Sequence, residues 1–142
     1  MSFYNVKESM QENEILQLLA PSVYNPTLER LQVRAKRYQE NENTYIFGFK
    51  DNVEYKGIIV FEIKDNNATI LDIAVKTEYQ GRGIGSKLID LIFIHFGVQS
   101  VTAVTDDDAI GFYKKYGFSV IKTETKFYIK RYLCFCSCKT VK

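Results

Sequence analysis

Three glycines stand at alternate positions in the run Gln80-Gly81-Arg82-Gly83-Ile84-Gly85, and the hydrophobic period changes across that run. Before it, Ala68 to Val75 reads as a strand. After it, Ile84, Leu88, Leu91 and Ile92 recur every three or four residues, the spacing of a helix from Gly83 to about Phe96. A strand that turns through glycines into a helix leaves the first helical amides unpaired, and the helix dipole favours an anion at that end. The glycines keep side chains off those amides, and Arg82 can add charge at the rim. An ordinary tight turn does not need the chain entropy that three glycines in five residues lose on folding, so the run is read as a phosphate-holding turn.

Two familiar phosphate motifs fail on it. A Walker loop requires Lys at the residue following its second glycine, but Ser86 already occupies that glycine's place, five residues after Gly81. A dinucleotide fingerprint requires Gly or Ala where Ser86 stands. The run also falls past mid-chain, with too few residues after it for a second nucleotide-binding half. Asp106, at the end of the next strand, is the one feature that keeps an oxidoreductase in view.

The remaining elements follow from periodicity. Met10 to Ala20 and Thr27 to about Glu40 read as helices, separated by Pro21 and Pro26. Thr44–Phe49, Tyr55–Ile63 and Ala68–Val75 read as strands joined by the short turns Asp51-Asn52 and Asp65-Asn66-Asn67, which predicts an antiparallel meander. Val101–Thr105 is a further strand, and Asp107–Tyr116 a short helix closed by Gly117. Phe118–Lys122 and Lys126–Leu133 form a closing hairpin. The order is β-α-α-β-β-β-α-β-α-β-β, a mixed sheet carrying helices.

At 142 residues the chain fits one domain, expected over 1–133, with a short cysteine-containing tail over 134–142. The net charge of +2 is too small to argue for nucleic acid or an anionic membrane as main partner. The N-terminus lacks a basic start followed by an apolar run, and the apolar stretch from Leu88 to Phe96 is broken by Asp90 and His95, so a cytoplasmic location is expected. Cys134, Cys136 and Cys138 alternate with no histidine nearby. Three such thiols make a poor zinc site, and no metal is expected; they are read as reduced thiols on a fraying terminus.

Ile73-Ala74-Val75 followed by Gln80 to Gly85 resembles the GNAT acetyltransferase signature Gln/Arg-x-x-Gly-x-Gly/Ala at the end of its fourth strand. Downstream, Ala109-Ile110-Gly111-Phe112-Tyr113-Lys114-Lys115-Tyr116-Gly117-Phe118 is similar to the family's second signature. The resemblance implies a GNAT fold, classed α/β (α+β). Its mixed, mostly antiparallel sheet has about seven strands, flanked by four helices and splayed between strands 4 and 5. It further implies acetyl-CoA as co-substrate, the pantetheine arm pairing near Ile73, Ala74 and Val75, and the pyrophosphate held from Gln80 through Gly81, Arg82, Gly83, Ile84 and Gly85 to Ser86. Many members carry Asn where this chain has Asp106; a carboxylate cannot donate as an amide does, so contacts to the arm there are expected to differ. Asp106 to Asp108 also suit the N-terminus of the next helix.

Acetyl transfer requires a neutral attacking amine, a donor for the oxyanion and a proton for the leaving thiolate. A lysine-like amine has a pKa of about 10.4, so a base must assist. Tyr113 is the candidate acid, from its place in the second signature. Asp72 and Glu62, carboxylates within strands, are the candidate bases. The backbone amide near Ile73 is the oxyanion donor that the resemblance implies. The acceptor is expected to be a small-molecule amine or a peptide or protein amine, and a homodimer is usual for similar proteins. The competing class is a non-catalytic acyl-CoA-binding or sensing module. His95, near a helix end, and the basic stretch Arg30, Arg34, Lys36 and Arg37 are assigned structural or solvated roles.

Overall fold

The computed structural model describes residues 2–138. Their order is β1 (Ser2–Asn5), α1 (Asn13–Leu18), α2 (Leu28–Glu40), β2 (Thr44–Lys50), β3 (Tyr55–Lys64), β4 (Asn67–Val75), α3 (Ile84–Phe96), β5 (Ser100–Thr105), α4 (Ile110–Tyr116), β6 (Ser119–Lys126) and β7 (Ile129–Ser137). The strands form a seven-stranded mixed sheet in the order β1-β2-β3-β4-β5-β7-β6. Its β4–β5 pair is parallel, while β1–β2, β2–β3, β5–β7 and β6–β7 are antiparallel. This is the element order that the periodicity predicts.

The first helix is shorter than expected. Only Asn13–Leu18 is α-helical, and the 3-10 turns Lys7–Ser9 and Ala20–Ser22 take up its flanks, the second of them containing Pro21. The next helix starts where the sequence marks it: the Thr27 side chain accepts from the Arg30 amide at 3.2 Å, as a capping threonine does.

The chain divides into two compact units. Residues 1–62 and 71–89 make the first. Its core is built by Ile15, Leu16 and Leu18 of α1 and Leu31 and Ala35 of α2, packed with Ile46, Ile58, Val60 and Ala74 from the strands. Gly57 of β3 lies close to the start of α3. A Cβ there would stand 3.0 Å from the Ala74 carbonyl and 3.3 Å from both Ile84 and Leu88.

Residues 63–70 and 90–142 make the second unit. The β4–β5 ladder runs from Asn67↔Ser100 to Ile70↔Ala103, and the rest of β4 belongs to the first unit. Val101, Ala103, Cys134 and Cys136 are buried along β5 and β7. Here the structure corrects the expected tail. The last strand continues to Ser137, and Cys134 and Cys136 pair in register with Ala103 and Val101. They behave as small apolar residues on the inward face of an alternating strand, and only Cys138 is exposed. Residues 139–142 of the expected tail lie outside the described residues.

The β6–β7 hairpin is longer than its apolar pattern indicates. Every residue from Ile121 to Lys130 is exposed, so no inward-facing alternation marks it. Phe127 and Tyr128 form its tip at φ +53° and +64°.

Candidate active site

In the first unit, β4 reaches the glycine run through a 3-10 turn at Thr77–Tyr79. The Gln80 side-chain amide donates back to the Val75 carbonyl at 3.1 Å, holding the end of the strand. Gly81 and Gly83 have φ of +79° and +82°, and a Cβ on either would meet no atom within 4 Å. Glycine is therefore required there by backbone conformation, and the space beside both residues is open. Ile84 is buried and anchors the helix start, Gly85 and Ser86 are partly exposed, and Arg82 is exposed. The Lys87 amide donates to the Gly83 carbonyl at 3.1 Å, which begins the helical ladder. Helix geometry leaves the amides from Gly83 to Ser86, ahead of Lys87, without an intrahelical partner.

Alternation along β4 buries Asp72 and Ala74 and leaves Ile73 and Val75 half-buried on the other face. Asp72 is not a lone strand carboxylate. Arg34 of α2 donates through one guanidinium nitrogen to its two oxygens at 3.1 and 3.3 Å, and the Tyr38 hydroxyl donates to Oδ2. Burial, and then the Asp72 carboxylate, push the Tyr38 phenol well above its ordinary range. Glu62 differs. It sits on β3 opposite Thr44, half-buried, and its carboxylate has no hydrogen bond or ion pair among the described residues.

Sequence reasoning missed Arg34 and Tyr38 as partners of Asp72. Their four-residue spacing places them on one helical face and was visible in the sequence. That this face meets Asp72 is a tertiary fact.

In the second unit, Tyr113 is buried on α4, with ring centroids of Phe112 and Phe118 each 5.1 Å away in edge-to-face geometry. Its carbonyl accepts from the Gly117 and Phe118 amides, closing the helix around Gly117 at φ +128°. Tyr116, one turn on, donates to Asp90 at 2.6 Å. Asp106 caps the lead-in to α4: its Oδ1 accepts from the Asp108 and Ala109 amides at 3.0 and 3.1 Å, and Arg131 lies 3.7 Å from Oδ2. Among the described residues no group of three or more His, Cys, Asp or Glu is arranged to hold a metal ion, and no helix is long and apolar enough to cross a membrane.

The acetyltransferase (GNAT) domain matches residues 41–120, and the chain belongs to that family. A curated relative, the uncharacterized N-acetyltransferase ycf52 of Gracilaria tenuistipitata var. liui, is 26% identical over 84 residues, covering 57% of this chain and 42% of that protein. The chain thus spans less than half the length of that relative. Among solved structures, a mutant spermidine N-acetyltransferase of Vibrio cholerae superposes with a TM-score of 0.77 at 14% identity over 100% of this chain and 98% of the other. The ribosomal-protein-S18-alanine N-acetyltransferase of Escherichia coli gives 0.72 at 15% identity over 96% and 93%. At such identities these structures show a shared GNAT fold.

Proposed function

We propose that this chain transfers an acetyl group from acetyl-CoA to a primary amine by direct attack in a ternary complex. The observation that carries this reading is the junction of β4 and α3, where Gly81 and Gly83 hold positive φ beside open space at the start of a 13-residue helix. Unpaired amides at the positive end of that helix suit a pyrophosphate, and Arg82 supplies an exposed cation at the rim. Backbone groups of Ile73 and Val75 are assigned to the pantetheine arm, with the Ile73 amide as oxyanion donor. This assignment follows the family signature.

In the reaction the neutral amine attacks the thioester carbonyl carbon, the tetrahedral oxyanion collapses, and the carbon–sulfur bond breaks. The amine loses its proton to a base and the sulfur leaves as thiol or thiolate. Glu62 is the favoured base, acting directly or through water. A proton taken by Asp72 would have to displace its pairing with Arg34, whereas the Glu62 carboxylate is not so engaged. Asp72 supplies a fixed negative charge. Tyr113 is assigned to protonate the leaving sulfur because of its place in the second signature. The acceptor is proposed to be a small-molecule amine or an amine of a peptide or protein; the spermidine and ribosomal-protein enzymes above, which share the fold, span both kinds.

The test is calorimetric titration with acetyl-CoA followed by a thiol-release screen over polyamines, small amines and peptide N-termini. Binding with turnover of at least one amine supports the proposal. Binding without CoA release across the panel would favour a sensing module, and no binding would remove the donor assignment.

A further inference from the structure

The glycine run is held from one side by a network that the transfer chemistry does not use. Glu54, at the end of the β2–β3 connection, takes the Tyr79 hydroxyl on Oε1 and the Lys76 ammonium on Oε2 at 2.8 Å. Its own backbone is fixed in turn: Asp51 Oδ1 accepts from the Val53 and Glu54 amides, and Asp51 Oδ2 pairs with Lys56 at 3.0 Å. Lys56 then lies over the Tyr79 ring at 4.3 Å from its centroid, with Arg82 at 5.6 Å from the same centroid. The backbone follows the same course, since the Lys76 amide donates to the Lys56 carbonyl at 2.9 Å.

Lys76 and Tyr79 bracket the 3-10 turn from which the chain passes into Gly81 and Gly83. Beyond that turn a Cβ on either glycine would meet nothing within 4 Å, so no neighbouring atom confines the run on that side. Its fixed points are the start of α3 on one side and, on the other, the Glu54 network together with the Gln80 side-chain bond to the Val75 carbonyl. A glycine-rich segment held at one end only would have to lose much backbone freedom on binding an anion; one held at both ends has already lost it.

We infer that Glu54 is a positioning residue for the donor: through Tyr79 and Lys76 it sets the glycine run in its binding conformation, without touching the coenzyme. The inference rests on the acetyl-CoA reading above. The electrostatics of Glu54 alone would act in the opposite direction, because a carboxylate near a diphosphate site repels it and its removal frees the Lys76 charge. The two effects therefore differ in sign and can be separated.

The experiment compares wild type, Glu54→Ala, Glu54→Gln and Tyr79→Phe by calorimetry with acetyl-CoA, by steady-state kinetics and by melting of the coenzyme-free protein. A lost charge-assisted contact of this kind corresponds to about a tenfold change in affinity. Glu54→Ala is expected to raise Kd and KM for acetyl-CoA about tenfold, leaving kcat and the acceptor KM within about twofold. Glu54→Gln keeps an acceptor for Tyr79 and should recover part of the loss; Tyr79→Phe should reproduce part of it. Tighter or unchanged binding in a folded Glu54→Ala protein overturns the inference while leaving the donor assignment standing. A lowered melting temperature with unchanged Kd also overturns it, making the network purely structural. If wild type itself failed to bind, the donor assignment would fall, and this inference with it.

Discussion

Arg34 and Asp72 form a two-contact ion pair from α2 to β4, with 28% of the arginine side chain and 4% of the aspartate side chain exposed to solvent. Carrying an aspartate on the buried face of a strand is unfavourable unless its charge is met, and here a guanidinium and a phenol meet it. Asp72→Asn should leave Arg34 charged without its counter-ion. The expected loss is about 1–3 kcal/mol, below the roughly 3–5 kcal/mol of a fully buried pair because the arginine is partly hydrated. Chemical denaturation checks it, and an unchanged midpoint would mean that water replaces the carboxylate at no cost.

Alkaline stability follows from two phenols. Tyr38 is raised by burial and by Asp72; Tyr116 is raised by burial and by its hydrogen bond to Asp90. A group whose pKa is higher in the folded state contributes stability fully below its unfolded value, about 10 for tyrosine, and loses it as pH rises toward the folded value. The melting temperature should therefore fall from about pH 10 upward. Tyr38→Phe should flatten that fall, and a parallel pH profile for the variant would exclude Tyr38 as a contributor.

The β6–β7 tip is a two-residue loop closed by Lys126 and Ile129, and both of its central residues have positive φ. Phe127 and Tyr128 are 82% and 103% exposed, so they give the core nothing in return for that conformation. Left-handed backbone costs about 1–2 kcal/mol per ordinary residue, and Asn-Gly is the pair that this turn prefers. Replacing Phe127→Asn together with Tyr128→Gly should raise the melting temperature by a few degrees, roughly what 1 kcal/mol yields in a chain of this size. A lower melting temperature would show that the aromatic tip is stabilised by contacts of its own.

The cysteines should report the last strand. Cys134 and Cys136 are buried, and burial pushes the Cys134 thiol up, whereas Cys138 is exposed. A disulfide-exchange reagent should consume one thiol quickly in the native protein and three in denaturant. Three fast thiols in the native protein would place β7 in solvent.

How much of this was legible depended on whether an element carried its own signal. The glycine junction, the Thr27 cap and Gly117 each impose a local backbone condition that a one-dimensional reading can detect. The end of β7 does not, because Cys134 and Cys136 alternate like strand residues but stand near the chain end, where thiols read as part of a fraying terminus. Asp72 and Glu62 looked alike in the sequence, as single carboxylates within strands. They were separated only when α2 brought Arg34 and Tyr38 to one of them. The Glu54 network joins residues more than twenty positions apart in sequence, and nothing local announces it.

Gly57 constrains the route by which this protein can change. A first side-chain atom there would sit 3.0 Å from a carbonyl and 3.3 Å from carbons of Ile84 and Leu88, so even alanine would require these neighbours at the start of α3 to give by a few tenths of an ångström. If the glycine run holds the donor as proposed, adjustment of donor affinity by single substitutions is directed away from the strand beneath and toward exposed positions such as Arg82, where exchanging a side chain leaves the seating of the helix intact.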